Sequence, residues 1–223
     1  MMKTIVLFDL DDTLFCRDDY IKKTYIYICQ SLSLDDEISD YMFSSYLESG
    51  ENNVFQKTIE KFKLEKNVLK DMIEKYQNSK VNIELYDDAK RFIFDNKNNY
   101  RFGIVTNGGL KTQKNKIRLL NLDHEIEKIV ITGERFRRED WKPSKCPFDY
   151  ILHEMNVEPY QCIYIGDKFE IDVIGAMNAN ILPVLIKRDN ASSIIEKKYD
   201  KKDYYEINSF DCITNLIKII DKR

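Results

Sequence analysis

The sequence predicts an α/β protein: a doubly wound, Rossmann-like parallel sheet with an all-helical segment inserted behind its first strand. Three observations carry this. Short runs rich in Val and Ile recur along the 223 residues and end in polar turns, and a run apolar on both faces suits a central parallel strand. Helical patterns stand between those runs, the alternation expected of βαβ units. One stretch, 17–82, breaks the alternation and holds helical patterns only.

The strand runs are Thr4–Leu10, Tyr100–Thr106, Lys128–Thr132, Cys162–Ile165 and Leu182–Ile186. Between and after them, Asp88–Asn99 puts Ala89, Phe92 and Ile93 on one helical face, and Thr112–Asn121 carries Ile117, Leu119 and Leu120. Cys146–Met155 and Phe169–Asn178 supply two more helices. A final helix has Phe210, Ile213, Leu216, Ile217 and Ile220 as its stripe and Ser209 as its N-cap. Within the insert the helical patterns are Tyr20–Ser31, Asp35–Leu47, Val54–Phe62 and Val68–Gln77. Its recurrent aromatic residues read as the core of a small bundle, a minority of them facing the sheet. The charged tract Glu196–Asp203 reads as solvated. These readings place a core domain at 1–16 and 83–223 and a helical domain at 17–82.

Composition narrows the function classes. Thirty-five basic and 38 acidic residues leave a net charge of -3, too balanced to favour a nucleic-acid polymer or an anionic membrane surface as partner. Five scattered cysteines without a Cys-x-x-Cys argue against a disulfide framework and fit a reducing cytoplasm. Two histidines nearly exclude a His-rich zinc site. The first apolar run is too short for a signal peptide or a bilayer span. A cytoplasmic protein, monomer or homodimer, is the expectation.

In an open α/β sheet, ligands bind beyond the carboxyl ends of the strands. The first strand run ends in Asp9, Asp11, Asp12 and Thr13, and the second in Thr106-Asn107-Gly108-Gly109. After the third come Gly133, Glu134 and then Trp141-Lys142-Pro143, and after the fourth Gly166-Asp167 with Asp172 five residues on. Carboxylates so close together raise each other's pKa unless a cation or a proton intervenes. Carboxylates, a hydroxyl, an amide and a lysine on one edge suit a phosphate and a hard divalent cation, since Mg²⁺ takes oxygen ligands and phosphoryl transfer needs mainly positioning and charge neutralisation. Taken singly each piece is unremarkable: an acidic pair is as often a turn or an N-cap, and Lys-Pro is usually surface. Their order and spacing are what is specific.

The set Asp9-Leu10-Asp11-Asp12-Thr13, Thr106, Lys142-Pro143 and Gly166-Asp167-Lys168-Phe169-Glu170-Ile171-Asp172 resembles the four motifs of the haloacid-dehalogenase superfamily, phosphatase branch. The helical insert falls where that superfamily's type-1 cap lies. The resemblance covers all of the chain but the insert. It implies Asp9 as nucleophile forming an aspartyl-phosphate, and Asp11 as the acid that protonates the leaving oxygen and then activates water, with a pKa above that of Asp9. It implies Mg²⁺ held by Asp9, the backbone carbonyl of Asp11 and Asp167, with Asp172 behind them holding Lys142 or a metal-bound water. Thr106 and Lys142, with Asn107 close by, would bind phosphate oxygens.

Asp11 disfavours haloacid hydrolysis, because dehalogenases of the superfamily lack an acid there. Asp12 stands where many members carry Gly and reads as a loop or capping residue facing away from the chemistry. The approach to Lys142 is longer than is common, and its arginines 135, 137 and 138 read as a solvated loop, or more sharply as a rim attracting anions. Lys145 is a weaker substitute for Lys142. A Mg²⁺-dependent phosphomonoesterase acting on a small phosphorylated metabolite is the leading expectation. Thr106-Asn107-Gly108 with Gln113 is similar to nucleotide-directed members, and phosphoglycolate or sugar-phosphate substrates share the scaffold. A sugar-phosphate mutase is the alternative, with a non-catalytic phospho-ligand binder behind it.

Overall fold

A computed structural model describes residues 4–50, 53–188 and 193–220. At its centre is β1 (Ile5–Phe8), buried along its length. It pairs in parallel with β2 (Arg101–Thr106) on one side and β4 (Cys162–Gly166) on the other. Outward lie β3 (Lys128–Ile131) beside β2 and β5 (Leu182–Ile186) beside β4. β7 (Lys202–Ile207) then joins β5 in parallel, and β6 (Ile194–Tyr199) closes that side antiparallel to β7. The order is β3-β2-β1-β4-β5-β7-β6. The chain winds outward in both directions from β1, so the switch point lies where β1, β2 and β4 end, the place where such sheets bind ligands.

Alternation along β1 divides the core. Val6 and Phe8 face one layer, which holds Phe92 of α5 (Asp87–Asn96), Ile117 of α6 (Leu110–Leu119) and Leu216 of α10 (Ile213–Ile220). Ile5 and Leu7 face the other, with Phe148 and Ile151 of α8 (Cys146–Met155) and Ala176 of α9 (Ile174–Asn178). A one-turn α7 (Thr132–Arg135) follows β3. Ser209 caps the last helix as expected, accepting from Asp211 N at 3.1 Å, although its first turn, Phe210–Cys212, is 3₁₀.

Among the described residues, the named elements between β1 and α5 are all helices: α1 (Arg17–Ser31), α2 (Asp36–Ser49), α3 (Val54–Phe62) and α4 (Val68–Gln77). Tyr25, Phe55 and Tyr76 pack edge-on or tilted at 5.8–6.4 Å between ring centres, the expected bundle core. The outgoing and returning chains touch through Tyr86 N donating to Leu14 O at 2.9 Å. Asn115 on α6 donates to Ser79 O at 2.9 Å, tying the helices to the sheet side.

Two segments differ in form from the sequence reading. The tract Glu196–Asp203 is largely exposed, as expected, but it lies in the β6–β7 hairpin, turning at Asp200 and Lys201, both at positive φ. Its charges pair across the strands, Lys197 with Glu206 at 2.7 Å and Lys198 with Asp203 at 3.0 Å. The hydrophobic alternation is thereby hidden on a lysine-rich edge, a common guard against edge pairing. Secondly, Phe169–Asn178 is not one α-helix: Phe169–Val173 is a π-turn and only Ile174–Asn178 is α.

Asp88 at the head of α5 is a structural hub. It accepts from Phe210 N at 2.8 Å, Ser209 Oγ at 3.0 Å and Arg188 at 3.0 and 3.1 Å. Arg188 also stacks on Tyr86 at 3.6 Å and donates to Thr13 O at 2.9 Å. Burial opposes the charge on Asp88, yet the Phe210 N–H and Arg188 hold its carboxyl below the ordinary Asp range. Asp88→Ala is expected to cost about 2–3 kcal/mol at neutral pH. Because the native pKa is lowered, that contribution is present above the unfolded-state value and disappears as the pH falls through the native one. Denaturant titrations at pH 7 and pH 3 check this; an equal deficit at both would reject it.

Candidate active site

Asp9 is the first residue past β1, and its N–H still donates to Ile165 O at 2.9 Å. That keeps it rigid at the sheet's carboxyl edge. All seven residues singled out from the sequence come to this edge. Asp9, Asp11, Asn107, Lys142 and Asp172 border a cavity of about 580 Å³. Thr106 closes β2 beneath it, and Asp167 has an oxygen within 4.8 Å of oxygens from Asp9 and Asp172.

Lys142 is the electrostatic pivot. Its ammonium donates to Asp9 Oδ1 at 2.6 Å, Asp172 Oδ1 at 2.7 Å and the Tyr164 hydroxyl at 2.7 Å, which uses all three of its hydrogens. Burial disfavours its charge, but Asp172 and Asp9 outweigh that and raise its pKa. Asp172 is fixed in turn by Lys168 N, which donates to Oδ2 at 3.0 Å. The π-turn swings Asp172 back under β4, so close that a Cβ at Gly166 would overlap its side chain. That contact is why glycine opens the fourth motif. Both Asp172 oxygens are engaged by protein donors, which suits holding Lys142.

Asp167 differs. Its Oδ1 is buried with no hydrogen-bond partner among the described residues, and burial, with Asp172 and Asp12 adding repulsion, pushes its carboxyl up to about 6. Asp9 is pushed up to about 7, chiefly by burial, with repulsion from Asp172 and Asp11 offsetting the pull of Lys142. Such a site wants a cation, and the orphaned Asp167 oxygen beside Asp9 offers the all-oxygen donor set of a hard divalent ion.

Asp11 departs from expectation. Lys116 Nζ lies 2.7 Å from its Oδ1 and Gln113 Nε2 lies 2.8 Å from its Oδ2. Burial works against its charge, but Lys116, Gln113 and Arg17 together lower its pKa. The two carboxylates therefore stand in the reverse of the expected order. The cause is Lys116, a buried lysine on α6 that sequence reading passed over. Its three-residue spacing from Gln113, on one helical face, was the available signal. Tyr164 was also missed, hidden inside a strand run that reads as plain core.

Asn107 is also engaged by the protein. Its side chain meets the backbone of Lys142, donating to the carbonyl at 3.0 Å and accepting from the N–H at 3.1 Å. It thus anchors the Lys142 segment, with one amide hydrogen used there and the side chain bordering the cavity. Asp12 sits at φ 59 and turns its carboxylate to Arg17, accepting from Arg17 N at 3.0 Å, as a capping residue should; its left-handed backbone is one glycine adopts freely. Of the three arginines near Lys142, Arg138 borders the cavity and stacks on Trp141 at 4.4 Å. Arg135 lies over Tyr150, and Arg137 reaches toward Glu139. Lys145 pairs with Asp149 instead. From the inserted helices, Arg17, Tyr46 and Tyr76 reach the cavity.

Among the described residues no helix is long and apolar enough to cross a membrane. Comparison with known proteins finds relatives named as phosphatases and solved structures of the same fold. A glyceraldehyde 3-phosphate phosphatase of Methanothermobacter thermautotrophicus is 27% identical over 233 aligned positions, covering 98% of this chain and 100% of that one. Human N-acylneuraminate-9-phosphatase is 28% identical over 137 residues, 61% of this chain but only about half (53%) of its own length. The HAD-hydrolase YfnB of Bacillus subtilis, solved bound to magnesium, shares the fold with a TM-score of 0.70 at 18% identity, covering 97% of this chain and 99% of that one. The family model for haloacid dehalogenase-like hydrolases matches residues 6–186, from β1 through β5 and across every motif residue described above, and the chain belongs to that family.

Proposed function

We propose that this protein is a Mg²⁺-dependent phosphatase of small phosphomonoesters, working through an aspartyl-phosphate on Asp9. The observation that carries the reading is the Asp9–Lys142–Asp172 arrangement beside the orphaned Asp167 oxygen. It is a buried nucleophile with one oxygen held, a counter-charge in place, and an all-oxygen position for a cation next to it. Asp9, Asp167 and the Asp11 carbonyl would hold Mg²⁺, which would neutralise phosphate charge and lower the pKa of Asp9.

In this reading the Asp9 oxygen not held by Lys142 attacks phosphorus. The bond to the leaving oxygen breaks as Asp11 gives that oxygen a proton, for which Asp11 must enter the step as the neutral acid with one oxygen released from Lys116 or Gln113. A water then attacks the phosphoryl group, Asp11 takes the water's proton, and the P–O bond to Asp9 breaks to release inorganic phosphate. Lys142 offsets the charge of Asp9 before attack and that of the phosphoryl oxygens after it. The helices α1–α4 act as a cap, contributing Arg17, Tyr46 and Tyr76 to the substrate side. Sugar-type phosphates fit better than nucleoside monophosphates, because the relatives above are named for three-carbon and acylneuraminate phosphates.

A panel of sugar phosphates, phosphoglycolate and nucleoside monophosphates, scored by free phosphate with and without Mg²⁺, tests the reading. Release is expected with Mg²⁺, and its loss with EDTA should be reversed by Mg²⁺ but not by NaCl. Mg²⁺ is also expected to raise the thermal midpoint, and Asp167→Asn to remove that rise. Little free phosphate, with a requirement for a bisphosphate activator, would mark a mutase instead.

A further inference from the structure

The cavity carries more positive charge than its own carboxylates match. Among the described residues, five basic and three acidic side chains line it, the acids being Asp9, Asp11 and Asp172. Lys142 pairs with Asp9 and Asp172, and Lys116 pairs with Asp11 at 2.7 Å. Arg17, Arg138 and Lys168 are left. Burial raises the Asp167 carboxyl and Lys168 works against it, so Lys168 belongs with the motif residues. Arg17 and Arg138 do not.

Arg17 opens α1, and its Nε is buried without a hydrogen-bond partner among the described residues. The carboxylate paired with it there is that of Asp12, 3.5 Å from Nε and out of line for a hydrogen bond. The Tyr46 ring centre stands 5.8 Å from its Cζ, and the Tyr46 hydroxyl, which donates to Asp18 at 2.6 Å, can accept from it. A guanidinium has five N–H donors, so most of those on Arg17 have no acceptor among the described residues. Arg138 comes from the core, in the approach to Lys142. Its Cζ is 4.4 Å from the centre of the Trp141 ring, and that ring is fixed by Nε1 donating to Phe136 O at 3.2 Å. Its neighbours Arg135 and Arg137 pair with Glu134 and Glu139, whereas Arg138 has no paired acid among the described residues. An aromatic face steadies a guanidinium while leaving its N–H edge able to donate.

We propose that the substrate is a phosphomonoester bearing a second oxyanion, a carboxylate or another phosphate, and that Arg17 and Arg138 bind that group. This deepens the phosphatase reading and rests on it. The guanidinium fork matches either oxyanion in bidentate fashion. The transferring phosphate already has Lys142 and the neighbouring cation position to neutralise it. Two more guanidiniums beside a divalent cation repel it unless an anion offsets them. The cavity, about 580 Å³, is the size of a small-molecule site and holds more than a phosphate. With Arg17 on the inserted helices and Arg138 on the core, this oxyanion bridges the two parts of the chain.

The test uses p-nitrophenyl phosphate hydrolysis with Mg²⁺ as reporter and measures inhibition by two matched pairs of esters. In 3-phosphoglycerate and glycerol 3-phosphate, a carboxylate faces a hydroxymethyl group; fructose 1,6-bisphosphate and fructose 6-phosphate differ by one phosphate. An ester competes whether or not it is turned over, and kcat/KM for the esters themselves gives the same comparison. The anion-bearing member of at least one pair is expected to bind about 10- to 100-fold more tightly, the scale of a hydrogen bond to a charged group. The pair that discriminates identifies the oxyanion. Arg17→Gln and Arg138→Gln should each cut that preference at least about fivefold, and Arg135→Gln, outside the cavity, should keep it. Arg138 is exposed, so its variant decides the matter if Arg17→Gln does not fold. Equal inhibition within both pairs overturns the proposal and leaves the phosphatase reading standing, as does a preference that survives both substitutions. No phosphate release from p-nitrophenyl phosphate or any of the esters overturns the phosphatase reading, and this proposal with it.

Discussion

Asp9→Asn is expected to reduce phosphate release by about 10⁴-fold or more, the scale on which loss of a nucleophile is felt. The carboxamide keeps the shape of the side chain and can still accept from Lys142, but it lacks the anionic oxygen that attacks phosphorus. Asp172 remains as partner for the Lys142 ammonium, so the fold should survive and the loss should appear in kcat. Steady-state release by purified variant and parent, with circular dichroism as the folding control, measures it. Retention of activity to within tenfold would remove Asp9 as nucleophile and take the aspartyl-phosphate with it.

Lys142→Met should damage both stability and activity. The lysine is 5% exposed and is the counter-charge to two buried carboxylates, Asp9 and Asp172. Removing one partner of a buried ionic cluster leaves uncompensated charge and costs about 3–5 kcal/mol. The sign of the pH dependence follows. Asp9 is already pushed up to about 7 with Lys142 present, and removal of the lysine takes away the charge that pulls it down. Groups whose pKa is higher folded than unfolded bind protons on folding, so stability rises as the pH falls toward the unfolded value. The variant should therefore regain stability between pH 8 and pH 5, more steeply than the parent. Denaturant midpoints at pH 5, 6.5 and 8 in chelator check this. Adding Asp9→Asn to Lys142→Met should restore part of the loss, because it removes one of the stranded charges. A deficit independent of pH would mean that Lys142 matters for packing alone.

The parallel core was legible because its signals are local. Ile5-Val6-Leu7-Phe8 is apolar on both faces since helices cover both, and the helical pattern Cys146–Met155, which follows Pro143, matches α8 end to end. The β6–β7 hairpin was not legible. Lys197 meets Glu206 and Lys198 meets Asp203 only once the strands pair, so the segment reads as a charge run until its partner is known. The π-turn escaped for a related reason: nothing in Phe169–Val173 marks it, and it exists because Asp172 must return to Lys142 and to the N–H of Lys168.

The candidate site divides the same way. By itself the sequence determined which residue types stand at the ends of which strands: Asp9 and Asp11 after β1, Thr106 and Asn107 at β2, Asp167 after β4. Strand order and the period of the apolar runs set those positions, and both are written in the chain. Only the tertiary structure decided what each side chain does there. It turned the Asn107 amide to the Lys142 backbone, and it brought Lys116 from α6 and Tyr164 from β4 into the polar network. It also set Asp11 below Asp9 in pKa. A pKa depends on burial and on charges a few ångströms away, and those distances join residues more than a hundred positions apart, such as Asp11 with Lys116 and Asp9 with Lys142. No local pattern encodes them; they arise when the helices close over the sheet.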